Sequence, residues 1–219
     1  MATSTWSLAQ STELEREAKS ALEWLGRIGS LEGPQPGSPQ AIDDAESWEA
    51  VTTWAWTGLA HGTDHLSTAT EMLTGVLGGP AIVHPHSPFT LLRTALVGGG
   101  IAVWILSPKE RLERQARALR VANHDHEQRR TFLRDTGATA AQAQTTAFPV
   151  HSGDLPQLDE AIGNVRQWLN RHGSKTGFEV TGTLMQAARA VEGAWALSGY
   201  ADRVARQWRL GSGGAHSLV

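Results

Sequence analysis

Apolar residues recur at steps of three and four along most of this 219-residue chain, which is the period of an amphipathic helix. In the first predicted helix these positions are Leu14, Ala18, Ala21, Leu22 and Leu25. No stretch alternates apolar and polar residues for long enough to propose a sheet. The predicted fold class is therefore all-α, a bundle of about six helices joined by short connections.

Serine followed by proline marks three predicted helix starts, at Ser38-Pro39, Ser87-Pro88 and Ser107-Pro108. At the third, Glu110 completes a capping-box pattern. The predicted helices cover about 4–28, 39–77, 87–106, 108–135, 155–172 and 180–210. The triple glycine Gly98–Gly100 lies inside the third helix and predicts either a close helix–helix approach or a kink.

The string SLEGPQPGSPQ is the clearest linker, because glycine and proline interrupt a helix there. The predicted organisation is an N-terminal helix over 1–29, a linker over 30–40 and a main helical domain over 41–219.

The chain has no cysteine, which excludes disulfides, thiolate metal sites and a cysteine nucleophile. The start MATSTWSLAQ lacks a basic region followed by an apolar run, so no signal peptide is predicted. The most apolar stretch, ALVGGGIAVWIL, has 12 residues, too few to cross a bilayer. We therefore expect a buried core helix there, no membrane partner and a cytoplasmic location.

Charge is unevenly spread along a chain whose net charge is −3. Residues 1–50 hold three Lys/Arg against nine Asp/Glu, a balance of −6, whereas residues 107–134 hold eight against four, a balance of +4. Four arginines recur at every third position in the basic segment, and such a strip is a candidate for binding nucleic acid: Arg111, Arg114, Arg117 and Arg120. The alternative is a solvated face neutralised by Glu110 and Glu113.

His61, Asp64 and His65 have the spacing that puts three side chains on one face of a helix. Imidazole and carboxylate ligands at this spacing hold metals in helical bundles, so the three residues are an alternative metal site. Histidines at 84 and 86, or the string His-Asp-His at 124–126, could complete it. Otherwise Asp64 would pair with a buried arginine such as Arg93.

The C-terminal string WRLGSGGAHS places six residues between Arg209 and His216, among them Ser212. This spacing resembles the Arg-x(4–6)-His signature of the HEPN superfamily, helical domains that include ribonucleases. The string is also similar to the YR-x-x-S-x-x-x-H ending of uncharacterised helical proteins common in actinobacteria. HPHSPFTLLRTAL and VWILSPKERLERQARAL look like the middle of those proteins, so the resemblance covers about 60–135 and 180–216.

The resemblance implies a HEPN-like up-and-down core, a homodimer whose two motifs share one cleft, and RNA as substrate. His216 would be the general base, Arg209 the phosphate clamp, and Ser212 would orient the substrate or the imidazole. Imidazole titrates near neutral pH and a guanidinium is always charged, which suits them to these tasks. Two departures stand out: Leu210 follows the arginine where the family has a polar residue, and Gly211, Gly213 and Gly214 predict that the helix ends before His216.

No cofactor is predicted, because the chain has no P-loop, no GxGxxG after a strand and no GxSxG elbow. The leading hypothesis is a metal-independent endoribonuclease of a bacterial defence or toxin–antitoxin system, with a cognate antitoxin or another protein as partner. The alternatives are a non-catalytic helical scaffold that binds a partner protein and a metal-dependent enzyme using His61, Asp64 and His65.

Overall fold

The computed structural model describes residues 8–28, 33–74, 87–143 and 154–215. Within these ranges every regular element is a helix and no strand occurs, so the predicted all-α class is confirmed. The eight described helices are α1 Leu8–Ile28, α2 Pro39–Glu46, α3 Val51–Thr74, α4 Ser87–Leu106, α5 Arg111–Ala143, α6 Asp154–Arg171, α7 Val180–Trp195 and α8 Tyr200–Ala215.

Several predicted boundaries are confirmed, because short-range interactions set them. Ser38 caps α2: its side chain accepts the N–H of Ala41 at 3.2 Å, and Pro39 occupies the first helical position. Gly173 ends α6 in the left-handed region with φ 66°, where glycine has no Cβ to clash.

The predicted helix over 39–77 is interrupted, so this single-helix prediction is wrong. Ser47 is extended, with φ −95° and ψ 152°, and α3 begins four residues later at Val51. A carboxylate oxygen of Asp44 accepts the N–H of Thr52 at 2.8 Å, which satisfies one of the unpaired donors at the start of α3.

The predicted helix over 180–210 is also two helices. Ala196 (φ 49°) and Gly199 (φ 71°) adopt left-handed backbone angles that end α7 and turn the chain. The Glu192 carboxylate accepts the N–H groups of Gly199 at 2.8 Å and Ala201 at 3.2 Å, so an anion stabilises the positive end of α8.

The boundaries of α5 differ from prediction at both ends. The Ser107 hydroxyl donates to the Trp104 carbonyl at the end of α4 (3.3 Å), and α5 begins at Arg111 rather than 108. At its other end α5 continues through Gly137 to Ala143. One glycine costs a helix only about 1 kcal/mol, so it does not enforce a stop.

The chain divides into two compact units. Unit 1 comprises Met1–Gly33, Ala55–Ser107 and Val180–Val219, and unit 2 comprises Pro34–Trp54 and Pro108–Glu179. The sequence-based domain boundaries at 29 and 40 stay a prediction. The two units group residues by their contacts in space, and this does not test which segments of the chain would fold independently.

Glycines bring α3 and α4 into close contact in unit 1. A Cβ built on Gly98 would lie 2.5 Å from the Gly58 carbonyl oxygen and 2.6 Å from the Gly62 nitrogen. A Cβ on Gly100 would overlap the Leu184 side chain of α7, whereas one on Gly99 meets no atom within 4 Å. The close-approach interpretation of the triple glycine is therefore confirmed, at two of its three positions. α4 also packs on α8, and the Trp104 indole donates to the Gln186 side chain of α7 at 2.9 Å.

Unit 2 is built on α5 and α6. Its core contains Ala116, Leu119, Val165 and Leu169, all essentially without solvent exposure, with Trp168 packed against them. Arg130 of α5 also forms an ion pair with Asp159 of α6, with 3.1 Å between the guanidinium nitrogen and the carboxylate oxygen.

α4 is the one described helix that is long and apolar enough, by length and composition alone, to cross a membrane. The 12 residues counted from the sequence belong to a helix of 20, and 28% of its most apolar 18-residue window is buried within the protein. Core helices of soluble proteins pass the same test, so a single such helix is weak evidence for a membrane protein.

Candidate functional site

The predicted C-terminal motif lies along α8 and beyond its end. The backbone stays helical through Gly211, Gly213 and Gly214 to Ala215, so the predicted helix end before these glycines is wrong. Glycine lowers helix stability without forbidding the helical conformation. His216 and the Ser212 side chain lie outside the described residues.

Arginines recur at every third position of α8: Arg203, Arg206 and Arg209, which we call the α8 arginine row. Residues three apart are neighbours on a helix surface, and Ser212 continues the same spacing. The Arg203 guanidinium donates to the Ser198 carbonyl at 3.1 Å and lies over the Tyr200 ring. Arg206 and Arg209 are exposed and form no ion pair with any described residue.

A fourth arginine reaches α8 from α4. The guanidinium carbon of Arg93 lies 4.4 Å from the centroid of the Trp208 ring, and Trp208 is only 9% exposed. The Arg93 Nε is buried and has no hydrogen-bond partner in the part of the chain that the structure describes. Arg93 forms no ion pair with Asp64, the partner suggested for it from the sequence, or with any other described carboxylate. This corner of unit 1 therefore presents guanidinium charge that no described acidic group neutralises.

The predicted basic strip on α5 differs from the α8 arginine row, because all four of its arginines form ion pairs with carboxylates of their own unit. Arg111 bonds Glu46 at 2.6 Å, and Arg117 and Arg120 share Glu113 at 2.7 and 3.1 Å. Burial lowers the pKa of Arg120, and the Glu113 charge opposes that effect. The interpretation as a nucleic-acid surface stays a prediction, but these cations already have counter-charges.

Arg114 has the least exposed side chain of the four and forms the most buried ion pair. Its guanidinium meets both Asp43 carboxylate oxygens, at 2.6 and 3.0 Å, and Asp43 is completely buried. The hydrogen bond to Asp43 raises the pKa of Arg114. The same guanidinium donates to the carbonyls of Pro108 and Lys109, so it also holds the segment that precedes α5.

The alternative metal residues lie on α3, where His61 and Asp64 are exposed and His65 is partly buried. No group of three histidine or acidic side chains among the described residues is arranged to hold a metal ion, so the structure does not bring these three together as ligands. His84 and His86 lie outside the described residues.

Known proteins give no guide to this chain. No family model matches it, and no curated protein or solved structure matches it significantly. The site must therefore be judged from its own geometry.

Two features of that geometry were missed from the sequence. One is Arg93, which stands 115 positions before Trp208, so only the packing of α4 on α8 joins them. The other is a network in unit 2, where the Glu49 carboxylate meets the His126 Nε2 and accepts from the Trp54 indole, both at 2.6 Å. No local motif signals either feature, because each joins residues from separate segments.

Proposed function

We propose that this chain is a HEPN-like helical protein that cleaves RNA without a metal ion, in a bacterial defence or toxin–antitoxin system. The phosphate site would lie at the carboxyl end of α8. The observation that carries the proposal is that α8 continues without a break from Arg209 to Ala215. A separation of seven residues spans two helical turns and returns to within about 20° of the starting direction, so this backbone suits a motif with Arg-x(6)-His spacing.

Charge supports the same location. Arg206 and Arg209 have no ion-pair partner among the described residues, and Arg93 brings a further guanidinium to Trp208, the neighbour of Arg209 in α8. Unpaired guanidinium groups attract phosphate and bind it through two parallel hydrogen bonds. The paired arginines of α5 would have to give up carboxylates before they bound a phosphate.

In the proposed reaction His216 removes the proton of a ribose 2′-hydroxyl. The 2′-oxygen then forms a bond to phosphorus and the bond from phosphorus to the 5′-oxygen breaks. The leaving 5′-oxygen takes up a proton from water, and His216 returns its proton to the solvent. The products are a 2′,3′-cyclic phosphate and a 5′-hydroxyl. Arg209 would stabilise the charge that develops on the phosphate oxygens, and Ser212 would orient the RNA.

The experiment is to incubate the purified full chain with mixed RNA in EDTA and to identify the termini of the products. We expect cleavage with 2′,3′-cyclic ends. Both His216→Ala and Arg209→Ala should lower the rate by about a hundredfold or more, the usual effect of losing a general base or an oxyanion-stabilising cation.

The matched control is His61→Ala, another histidine of unit 1 that lies exposed on α3. It should cleave RNA like the wild type. Cleavage that EDTA or His61→Ala abolishes would contradict the proposal and favour the metal-dependent alternative. Absence of cleavage by the wild type would favour the non-catalytic scaffold.

The proposal includes a homodimer, since two protomers would bring two arginine rows to one cleft. Light scattering after size-exclusion chromatography should give twice the chain mass of 23.6 kDa. A monomer that still cleaves RNA would remove the dimer from the proposal and leave the assignment of Arg209 and His216 intact.

A further inference from the structure

A large apolar cavity that opens to solvent is lined by described residues of unit 1, from α1, α3, α4, α7 and α8. Its volume is about 1110 Å³. Pockets that bury a drug-sized ligand are about 300–1,000 Å³, so this cavity is large enough for a long-chain molecule. Apolar side chains form most of its wall, among them Leu59, Leu66, Leu92, Val103, Leu106 and Leu184.

The wall is open at two of the four described glycines that line it. A Cβ built on Gly99 of α4 or on Gly193 of α7 meets no atom within 4 Å, unlike the close-packed atoms of an ordinary protein core. Large apolar side chains at the cavity are exposed, Trp195 by 75% and Trp24 by 47%. Exposed apolar surface of this kind around a concavity marks binding sites.

The charges in the wall indicate which end groups fit. Among the described residues that line the cavity, two are charged, Glu17 and Arg189. Glu17 pairs with Arg16, whereas Arg189 is exposed and forms no ion pair with a described residue. The Thr63 hydroxyl donates to the Leu59 carbonyl of α3, and the Ser107 hydroxyl donates to the Trp104 carbonyl of α4. Of these two charged residues, Arg189 is therefore the one that has no counter-charge among the described residues and is available to pair with a ligand.

We infer that unit 1 binds an amphiphile with one long hydrocarbon chain and an anionic head group. The hydrocarbon fills the apolar cavity against α3, α4 and α7, and the head group pairs with Arg189 at the surface. This inference does not rest on the ribonuclease proposal, because Arg209 does not line the cavity among the described residues.

Titration calorimetry with dodecanoate, below its micelle-forming concentration, tests the inference on the full chain. We expect saturable binding of one molecule per chain. Gly99→Leu should weaken it by about tenfold or more, because the leucine side chain occupies space that the hydrocarbon would fill. The control is Gly163→Leu, at an exposed glycine of α6 in unit 2 where a Cβ also meets nothing within 4 Å.

Arg189→Gln examines the head group at a surface position where misfolding is not expected. It should weaken dodecanoate by about threefold, the effect of a solvent-exposed charge pair, and leave dodecanol unchanged. The control is Arg171→Gln, an exposed arginine at the end of α6 that also forms no ion pair with a described residue. Equal losses for acid and alcohol would overturn the role of Arg189.

Tryptophan emission gives an independent readout. Bound dodecanoate should cover Trp195 and shift the emission to shorter wavelength. The shift should shrink in Trp195→Phe and persist in Trp48→Phe, which removes a 54%-exposed tryptophan of unit 2.

Three results would overturn the inference: no saturable binding of dodecanoate, wild-type binding by Gly99→Leu, or binding to phospholipid vesicles without any binding of dispersed dodecanoate. The last result would assign the apolar surface of unit 1 to a membrane.

Discussion

At the scale of single residues, burial decides how much a charge pair matters. Asp43 has no solvent exposure and Arg114 exposes 12% of its side chain, whereas Glu46 and Arg111 expose 54% and 43%. Both pairs connect the α2 segment to α5. Only the first lies where water cannot replace a lost partner, so the two pairs provide a matched comparison.

We expect Asp43→Asn to destabilise the protein by about 3 kcal/mol, because it leaves the Arg114 guanidinium largely buried without a counter-charge. Glu46→Gln should cost less than about 1 kcal/mol, since its pair is exposed. Urea unfolding followed by circular dichroism measures both changes. Equal losses in the free energy of unfolding would show that the buried Asp43–Arg114 pair contributes no more to stability than the exposed Glu46–Arg111 pair.

At the scale of helices, the three adjacent glycines of α4 have three different surroundings. Gly98 faces the backbone of α3, Gly100 faces Leu184 of α7, and Gly99 faces the cavity of unit 1. Successive residues of a helix point about 100° apart, so neighbouring positions meet different partners. The same substitution should therefore have opposite effects at neighbouring positions.

Gly98→Ala should destabilise the protein by about 2 kcal/mol, because the new methyl group would press on the α3 backbone, which cannot rotate away. Gly99→Ala should stabilise it by up to about 1 kcal/mol through helix propensity alone. Thermal unfolding of the two variants side by side tests the opposite signs. Stabilisation by Gly98→Ala would mean that α3 and α4 are less closely packed than described.

At the scale of the whole molecule, the distribution of charge pairs matters more than the net charge of −3. The basic segment of α5 looks cationic in sequence, yet its regularly spaced arginines meet Asp43, Glu46 and Glu113. Unit 1 has fewer arginines, and those of α8 beyond Arg203 meet no described carboxylate. On the proposed function, we therefore expect RNA to release counterions at unit 1 rather than at unit 2.

The salt dependence of RNA binding measures this difference. Arg209→Gln should reduce the slope of log K against log salt by about 0.7, the contribution of one phosphate contact on a single strand. Arg117→Gln should leave the slope unchanged, since Arg117 already pairs with Glu113 at 2.7 Å. A smaller slope for Arg117→Gln alone would indicate that RNA binds to α5, the surface that the sequence pattern predicted.

The candidate site could be predicted only in part. Arg209 was singled out from the sequence by its spacing from His216; it lies exposed on α8, and its role stays a proposal. The continuation of α8 past its glycines was not predicted, because local propensity counts each glycine as a penalty and ignores what the rest of the chain stabilises. Arg93 was considered only as a partner for Asp64, and its place against Trp208 depends on the packing of two helices far apart in sequence.

The sequence by itself determined the all-α class and those boundaries that depend on a few adjacent residues, such as the Ser38 cap and the Gly173 stop. Hydrogen bonds and backbone angles within one turn decide these features, and a local pattern contains all the groups involved. Only the tertiary structure decided which arginines are neutralised, where the cavity lies and which glycines line it. The Asp43–Arg114 pair spans 71 positions, and no local pattern specifies what a side chain meets at that separation.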